Sequence, residues 1–285
     1  MRFKKTRSTI GWASILFGVL IILVTVAAVA TAQQILPVRV DRWLEVQQLQ
    51  GTVTYRRGQT SQPAQVRTRL ERVGDTIITG QRSSATLVVD TGVGTLNIAE
   101  STTLQVQKLD VAPDGGQITQ LQVMGGQVHL QVRPFTHRSS ELEIQTPAGV
   151  SGVRGTNFGV SVQPNGTTGV ATLEGSVSAA AQGQAVKVDA GLQSLIVPGE
   201  PPSPPAALKD DPQLNITLLA ALNPATARIV GQIDPVNLLV VADQPQMISR
   251  SGEFDVQIPL PSNRRIRAAV TTPLGTRQVY ELAVP

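Results

Sequence analysis

Apolar and polar residues alternate along most of this chain, with a period of two residues that begins at Val46. Such alternation is typical of β-strands with one buried and one exposed face. The runs recur at roughly 8–12-residue spacing, and pairs such as Gly-Asp, Thr-Gly and Gly-Gly form turns between them. They are clearest at Val53 and Tyr55, Leu87 and Val89, Leu104 and Val106, Leu121 and Val123, Val128 to Val132, and Phe158 to Val162. The pattern predicts an all-β protein with no amphipathic helix before Pro198.

The N-terminal segment has a different pattern, because no residue from Ser8 to Val38 is charged. Its apolar centre is about as long as the ~20 residues that a helix needs to span a bilayer. Basic residues come directly before it, at Arg2, Lys4, Lys5 and Arg7. By the positive-inside rule the N-terminus stays in the cytoplasm and the rest of the chain is exported. We therefore predict a cytoplasmic tail over 1–9 and a transmembrane helix over 10–32.

An alternative for this segment is a cleaved signal peptide. Ala30-Thr31-Ala32 is a small-x-small site, and cleavage before Gln33 would release a secreted protein. The apolar run is longer than the roughly 7–15 residues of a signal peptide, which favours retention as an anchor. The expected location is the inner membrane, with a single pass and the bulk of the chain in the periplasm or another extracytoplasmic space.

Composition shifts divide the exported part. Residues 33–45 are predicted to be a juxtamembrane stalk, in which Trp43 is either an interfacial anchor or the first core position. A β-domain follows over 46–197. The prolines between Pro198 and Pro205 cannot donate to a β-ladder, so residues 198–210 are predicted to be a linker. A second β-domain occupies 211–285, and a short helix-like patch is expected between Leu208 and Asn223.

Charge and composition exclude several functions. The formal net charge of +4 equals the basic excess of the N-terminal tail, so the exported part is neutral and nucleic-acid binding is not expected. The chain has no cysteine and two histidines, which argues against a metal site, and no nucleophile stands in a recognisable triad setting. Aromatic residues make up 3% of the chain, too few for a stacking platform. We expect no enzymatic activity and no small-molecule cofactor.

One segment, Thr146 to Phe158, places Arg154 between glycines in a run of small and apolar residues. A buried guanidinium needs acceptors. We therefore predict a structural clasp in which Arg154 pairs with Glu143 or Glu174. A ligand-binding role for Arg154 is the alternative.

The same segment, TPAGVSGVRGTNF, resembles the TP-x-A-x-x-G-V-R-G-T-x-F hallmark of FecR domains. Residues 72–80 resemble the family's L-x-x-G-D-x-I-x-T-G turn, and the likeness extends over roughly Val46 to Val197. The alternation alone leaves a sandwich or a short β-solenoid open, and the resemblance favours a twisted, solenoid-like stack of short strands. The residues that the resemblance marks as the structural motif are Gly74, Asp75, Gly80, Thr146, Pro147, Gly152, Gly155, Thr156, Phe158, Glu174, Gly175 and Gly191. Independently of the family, Gly74-Asp75 is expected to close a turn in which the carboxylate accepts backbone N–H groups.

The last 60 or so residues resemble a small bacterial immunoglobulin-like domain. The matching positions are Gly231, Pro235, Ser251 to Phe254, Leu260-Pro261 and Gly275. This resemblance implies a small β-sandwich at the C-terminus.

The function expected from these observations is non-catalytic binding in the cell envelope, to another protein or to the cell wall. Candidate contact residues are Arg133, His137, Arg138 and Arg154. One alternative is a signal relay of FecR type. The founding regulator of that family holds a sigma factor with a cytoplasmic segment, and the short tail here would require a membrane partner instead. A second alternative is a β-solenoid enzyme that acts on polysaccharides, against which the scarcity of aromatics counts.

Overall fold

The computed structural model describes residues 42–90 and 92–285, and its regular elements are all β-strands. The all-β class predicted from the alternation is therefore confirmed. The predicted tail, the predicted transmembrane helix and most of the predicted stalk lie outside the described residues. Within the ranges that the structure describes, no helix has the length and apolar character needed to cross a bilayer.

Seventeen strands form the first and larger part. The first nine are β1 (Leu44–Gln50), β2 (Val53–Arg57), β3 (Thr60–Pro63), β4 (Arg69–Leu70), β5 (Thr76–Thr79), β6 (Ser84–Val89), β7 (Gly94–Ile98), β8 (Thr103–Val111) and β9 (Gln117–Val132). They are followed by β10 (Glu141–Gln145), β11 (Val150–Val153), β12 (Asn157–Val162), β13 (Thr168–Glu174), β14 (Ser176–Ala181), β15 (Gln184–Asp189), β16 (Leu192–Ile196) and β17 (Ala206–Ala207).

These strands form two stacked layers, between which the chain passes repeatedly. Layer A has the order β4-β1-β6-β7-β9-β12-β13-β16-β17. Layer B has the order β3-β2-β5-β8-β9-β10-β11-β14-β15. The inward faces of both layers contribute to one hydrophobic cluster, which includes Leu87 and Phe158 from layer A and Leu104 and Leu142 from layer B. The period-two alternation is the direct consequence of this single buried face per layer.

β9 belongs to both layers. Its first half pairs with β8 and, in parallel, with β10, whereas its second half pairs with β7 and β12. The change of layer occurs at Gly125-Gly126, where Gly126 has φ +91° and a Cβ would lie 2.2 Å from Thr102 Oγ1. The sequence predicted a turn at this pair of glycines. The structure instead has a bend inside one long strand, because the left-handed glycine redirects the backbone while pairing resumes directly beyond it.

Seven further strands form a small sandwich at the C-terminus. They are β18 (Asn215–Asn223), β19 (Thr226–Gln232), β20 (Leu238–Val241), β21 (Gln244–Gln246), β22 (Glu253–Pro259), β23 (Arg265–Thr271) and β24 (Arg277–Ala283). A three-stranded sheet, β18-β19-β22, packs against a four-stranded sheet, β21-β20-β23-β24. The helix-like patch expected between Leu208 and Asn223 was wrong, since residues from Asn215 onward form strand β18. Pairing with β19 provides the backbone hydrogen bonds that a helix would have supplied internally.

The small sandwich is docked on the outer face of layer A. Gly159 and Gly169 expose their backbones there, and a Cβ on Gly159 would lie 1.8 Å from the Pro273 carbonyl oxygen. Gln127 Nε2 donates to the same oxygen at 2.6 Å, and the Ser161 hydroxyl donates to the Val236 carbonyl. The described residues, 42–90 and 92–285, accordingly belong to one compact unit.

The proline-rich segment between the two parts also lies against the protein. Ser203 N donates to the Leu195 carbonyl oxygen at 2.8 Å, and Leu208 N donates to that of Gly191, also at 2.8 Å. β17, within this segment, extends layer A beside β16. The segment that the sequence marked as a linker is therefore held along the edge of the layer by backbone hydrogen bonds.

Candidate functional site

The four residues predicted to contact a partner are gathered at one end of the two layers. Arg133, His137 and Arg138 lie in the loop between β9 and β10, and Arg154 lies in the turn between β11 and β12. The guanidinium of Arg154 donates to the Arg138 carbonyl oxygen, which joins the turn to the loop. All four side chains belong to exposed residues. We call this group the basic loop cluster.

Gly155 permits the close approach of these two segments. Its φ is +101°, and a Cβ would lie 2.2 Å from Pro134 Cα. Beside it, Val132 N donates to the Thr156 carbonyl oxygen at 3.0 Å, and Thr156 Oγ1 donates to that of Ser176 at 3.1 Å. The Gly-Thr of the motif therefore fixes the position of the loop that carries the arginines.

The buried clasp predicted for Arg154 was wrong. Arg154 is exposed and takes part in no ion pair among the residues that the structure describes. Val153 ends β11 with its side chain in the core, so the next residue points outward. Of the two predicted partners, Glu143 accepts from Gln120 Nε2 at 3.0 Å, and Glu174 is exposed.

A cleft of about 740 Å³ adjoins the basic loop cluster on the outer face of layer A. Thr95, Gln131, Asn157 and Glu174 stand side by side on adjacent strands and line the cleft. Arg133 lines it as well. The cleft thus offers hydroxyl and amide groups together with an exposed arginine and an exposed glutamate, which can make polar contacts.

His129 lies in the next row of the same face. Its Nε2 is 2.6 Å from Asn157 Oδ1, so the histidine orients an amide that lines the cleft. Successive residues of a strand point to opposite faces, so Val128 is buried whereas His129 is partly exposed.

Asp75, the acidic residue of the motif, is buried and closes a turn. Its carboxylate accepts from Glu71 N at 2.9 Å and from Arg72 N at 3.1 Å, as the sequence predicted for Gly74-Asp75. It also accepts two hydrogen bonds from the Arg57 guanidinium, at 2.9 and 2.7 Å. Burial on its own favours the neutral acid, but the hydrogen bonds from Arg57 and the two N–H groups outweigh it and lower the pKa of Asp75. The hydrogen bond to Asp75 in turn raises the pKa of Arg57.

The other motif residues form turns and close contacts. Gly149 N donates to Thr146 Oγ1 at 3.2 Å across the turn that contains Pro147, and Phe158 is fully buried. Gly80 N donates to the Thr52 carbonyl oxygen at 2.9 Å. Gly74, Gly175 and Gly191 have positive φ, whereas a Cβ on Gly152 would meet nothing within 4 Å. These contacts give the motif a structural basis.

The buried arginine of the structure is Arg42, which the sequence had assigned to the stalk. It is 5% exposed, and its guanidinium donates to Asp90 Oδ2 at 2.9 and 2.6 Å. It also donates to the carbonyl oxygens of Asp110 and Ile118 and to Thr119 Oγ1. Asp90 belongs to layer A and the other acceptors to the β8–β9 hairpin of layer B, so Arg42 joins the two layers. The sequence signal for this ion pair is the position of Asp90 directly after a strand. Arg42 and Asp90 are 48 positions apart, however, so no local pattern links them.

Trp43 is not the core position that was one of its two predicted roles, and its role as an interfacial anchor stays a prediction. It is partly exposed, and the Arg69 guanidinium stacks on its ring at 4.3 Å from the centroid.

One group of side chains has the composition of a catalytic triad but not its geometry. Ser139 Oγ lies 2.5 Å from Asp114 Oδ1 and 3.3 Å from His137 Nδ1, and the same Nδ1 faces Asp114 Oδ2 at 3.6 Å. In a triad the serine and the acid occupy opposite nitrogens of the imidazole. Among the described residues, no group of three His, Cys, Asp or Glu side chains is placed to hold a metal ion.

The comparisons with known proteins assign the central part of the chain. Residues 75–178 match the family model described as FecR protein. This part is a FecR domain. It contains the Asp75 turn, both loops of the basic loop cluster and most of the strands that form the cleft.

The remaining comparisons are more distant. Two crystal structures of a "putative anti-sigma factor" from Parabacteroides distasonis ATCC 8503 are 13% identical, with a TM-score of 0.39 over 46% of this chain and 59% of that chain. A polysaccharide lyase is 11% identical, with a TM-score of 0.20 over 86% of this chain and 40% of its own. The chain thus covers 59% of the length of the anti-sigma factor structures. No match was found among curated proteins.

Proposed function

We propose that this chain is an exported, membrane-tethered FecR-type module that binds another envelope protein without catalysis. The observation that carries the proposal is the basic loop cluster beside the polar cleft. Arg133, Arg138 and Arg154 are exposed and form no ion pair with another described residue. Arginine is enriched at protein–protein interfaces because its planar donors pair with carboxylates and carbonyls. A partner with exposed carboxylates fits this surface.

The uncharged run from Ser8 to Val38 and the basic residues before it support the tether. Within the proposal, the helix over 10–32 crosses the inner membrane and the described residues face outward. In the proposal, the two β layers are taken as the FecR-type stack and the C-terminal sandwich as an immunoglobulin-like domain. Cell-wall polymer is the other class of ligand that the sequence left open.

The test is photo-crosslinking of the full-length chain in native membranes. A photoreactive residue in place of Arg138 is expected to capture a discrete partner, whereas the same residue in place of Lys187 is not. Lys187 is an exposed cation in β15 of layer B and serves as the matched position. Charge reversal of Arg133 and Arg154 together should abolish capture and leave the melting temperature unchanged. Undiminished capture by the reversed variant would refute the assignment of this surface.

Signal relay is the second candidate, and the FecR domain at 75–178 favours it. In this version the captured partner passes information across the membrane. The test compares transcripts of cells that express the parent chain and the charge-reversed variant. A coordinated change in one sigma-factor-dependent set supports relay, and identical profiles despite loss of capture support binding alone.

A further inference from the structure

The C-terminal sandwich has one edge strand, β18, that contains neither a charged residue nor a proline. β18 pairs with β19 on one side, and no other described strand pairs with it. Its nine residues, NITLLAALN, include no charged residue and no proline. Leu218 and Leu222 are 40% and 50% exposed. An uncharged, apolar edge of this length is a template for pairing with another strand.

The strands that end the other sheet edges are short, end in or contain proline, or carry charged residues. β4 and β17 have two residues each, and β21 has three, one of which is a proline. β3 is four residues long and ends at Pro63. β15, β22 and β24 carry charged side chains. The contrast within one molecule singles out β18.

We propose that β18 is a homodimer interface, in which two copies of this chain pair their β18 strands antiparallel and join their three-stranded sheets into one. A two-fold interface brings the same strand of both copies together, so a charge near its centre would lie opposite or diagonal to the same charge on the other copy. β18 avoids that repulsion because it has no charged residue.

The sequence of the strand complements itself about Leu219. In an antiparallel pair centred there, Leu218 faces Ala220 of the partner subunit, so that a large side chain lies opposite a small one. Asn215 and Asn223 lie at equal distances from the centre and form the polar ends of the interface. The stretch that matters most, Leu218 to Ala221, is regular, because the irregularities of β18 fall on either side of it.

The bulges at its two ends limit the interface to the middle of the strand. They lie between Ile216 and Leu218 and between Ala221 and Asn223. Bulges end pairing locally, so a long polymer of stacked sheets is not expected. The interface closes with two copies, since each copy contributes one β18 edge.

The first test uses the natural absence of cysteine. Two differently tagged full-length chains, one with Leu218→Cys and one with Ala220→Cys, are co-expressed and their membranes are oxidised. A disulfide-linked mixed dimer is expected, in excess of the dimers that each variant forms alone. Val279→Cys is the matched control, because Val279 is 42% exposed on the charged edge strand β24. Mixed cross-linking no greater than this control overturns the proposal.

The second test does not rely on disulfide formation. In the proposed register, Leu218→Lys combined with Leu222→Lys places lysines of the two copies at diagonal positions across the interface and replaces its exposed leucines, and should weaken dimerisation of the full-length chain in detergent by about tenfold or more. Val279→Lys should leave the mass measured by light scattering at that of the parent dimer. A parent chain that is monomeric at all concentrations overturns the proposal. A Leu218→Cys cross-link to a protein of different mass also overturns it, by assigning the edge to another partner.

Discussion

At the scale of single residues, Arg42 has the buried structural role that the sequence assigned to Arg154. Its side chain and that of Asp90 are 2% and 10% exposed, and their guanidinium–carboxylate contact joins layers A and B. Removal of one partner from a buried pair leaves an uncompensated charge, which costs about 3–5 kcal/mol. Asp90→Asn is therefore expected to lower the free energy of unfolding by that amount in urea denaturation. Asparagine keeps the size of the side chain and tolerates the φ of +45° at this position.

Arg154→Ala is the matched control, because Arg154 is exposed and outside any ion pair of the described residues. Its effect on the free energy of unfolding should stay within about 0.5 kcal/mol. If Arg154→Ala destabilised the protein as much as Asp90→Asn does, the roles assigned to the two arginines would be reversed.

Asp75 gives the protein a defined sensitivity to acid. Its pKa is lowered in the folded state, so the unfolded chain binds a proton at higher pH than the folded one does. The stability that Asp75 contributes is complete above the ordinary aspartate pKa of about 3.9, and is lost as pH falls through the lower folded value. Urea denaturation from pH 6 downward should show this loss. The Asp75→Asn variant should be less stable than the parent at pH 6, and its free energy of unfolding should change less as the pH falls. Parallel pH profiles of the parent and the variant would contradict the assignment.

Asp75, Arg154 and Arg42 show which single-residue roles can be predicted from the sequence. Asp75 was recognisable because its backbone hydrogen-bond donors, Glu71 N and Arg72 N, lie within four residues of it along the chain. Arg154 was misjudged because burial of a residue at a strand end depends on whether the strand continues past it. Arg42 was missed because its partners lie 48 to 77 residues away, beyond any local pattern.

At the scale of elements, alternation found the strands of both parts because each layer buries a single face. It did not predict that β9 continues through Gly125-Gly126, since a glycine pair has the same local sequence pattern in a turn between two strands and in a bend within one strand. It also failed at β18, where six consecutive residues, Thr217 to Leu222, alternate poorly because the bulges shift the side chains between faces. The candidate contact residues in the exposed loops of the site were named from the sequence. The cleft beside them was not predicted, because it depends on which strands are neighbours in layer A.

The docking of the C-terminal sandwich depends on glycines in β12 and β13. A Cβ on Gly159 would lie 1.8 Å from the Pro273 carbonyl oxygen, a contact that neither backbone can relieve without moving. Gly159→Val is therefore expected to separate the sandwich from layer A and leave the two cores folded. Limited proteolysis should then cleave between residues 198 and 210, where the parent resists.

Gly152→Ala provides the comparison, because a Cβ at Gly152 in β11 meets nothing within 4 Å. Its digestion pattern should match the parent. Rapid cleavage of both variants would mean that the segment is accessible for reasons unrelated to docking, and resistance of Gly159→Val would mean that the interface tolerates the extra side chain.

At the scale of the whole molecule, the two hydrophobic cores are tied together at several places. Besides the contacts of Gly159 and Gly169, Arg277 pairs with Glu100 at 2.5 Å, and Asp210 accepts from Thr276 at 2.8 Å. Gln193 Nε2 lies 3.2 Å from the carboxylate of Asp234. The proline-rich segment is part of this interface rather than a free spacer. The basic loop cluster and the β18 edge are therefore carried by one body.

A compact body with continuous interfaces should unfold cooperatively. Calorimetry of residues 41–285 is expected to give one transition, with a van't Hoff enthalpy equal to the calorimetric enthalpy. Glu100→Gln removes a partly exposed ion pair worth about 0–1 kcal/mol, so the single transition should persist with little shift. Two resolved transitions in the parent would show that the cores unfold separately. In that case the interface would open before either core unfolds. Contacts such as that of Gly159 couple the unfolding of the two cores only while the interface is closed.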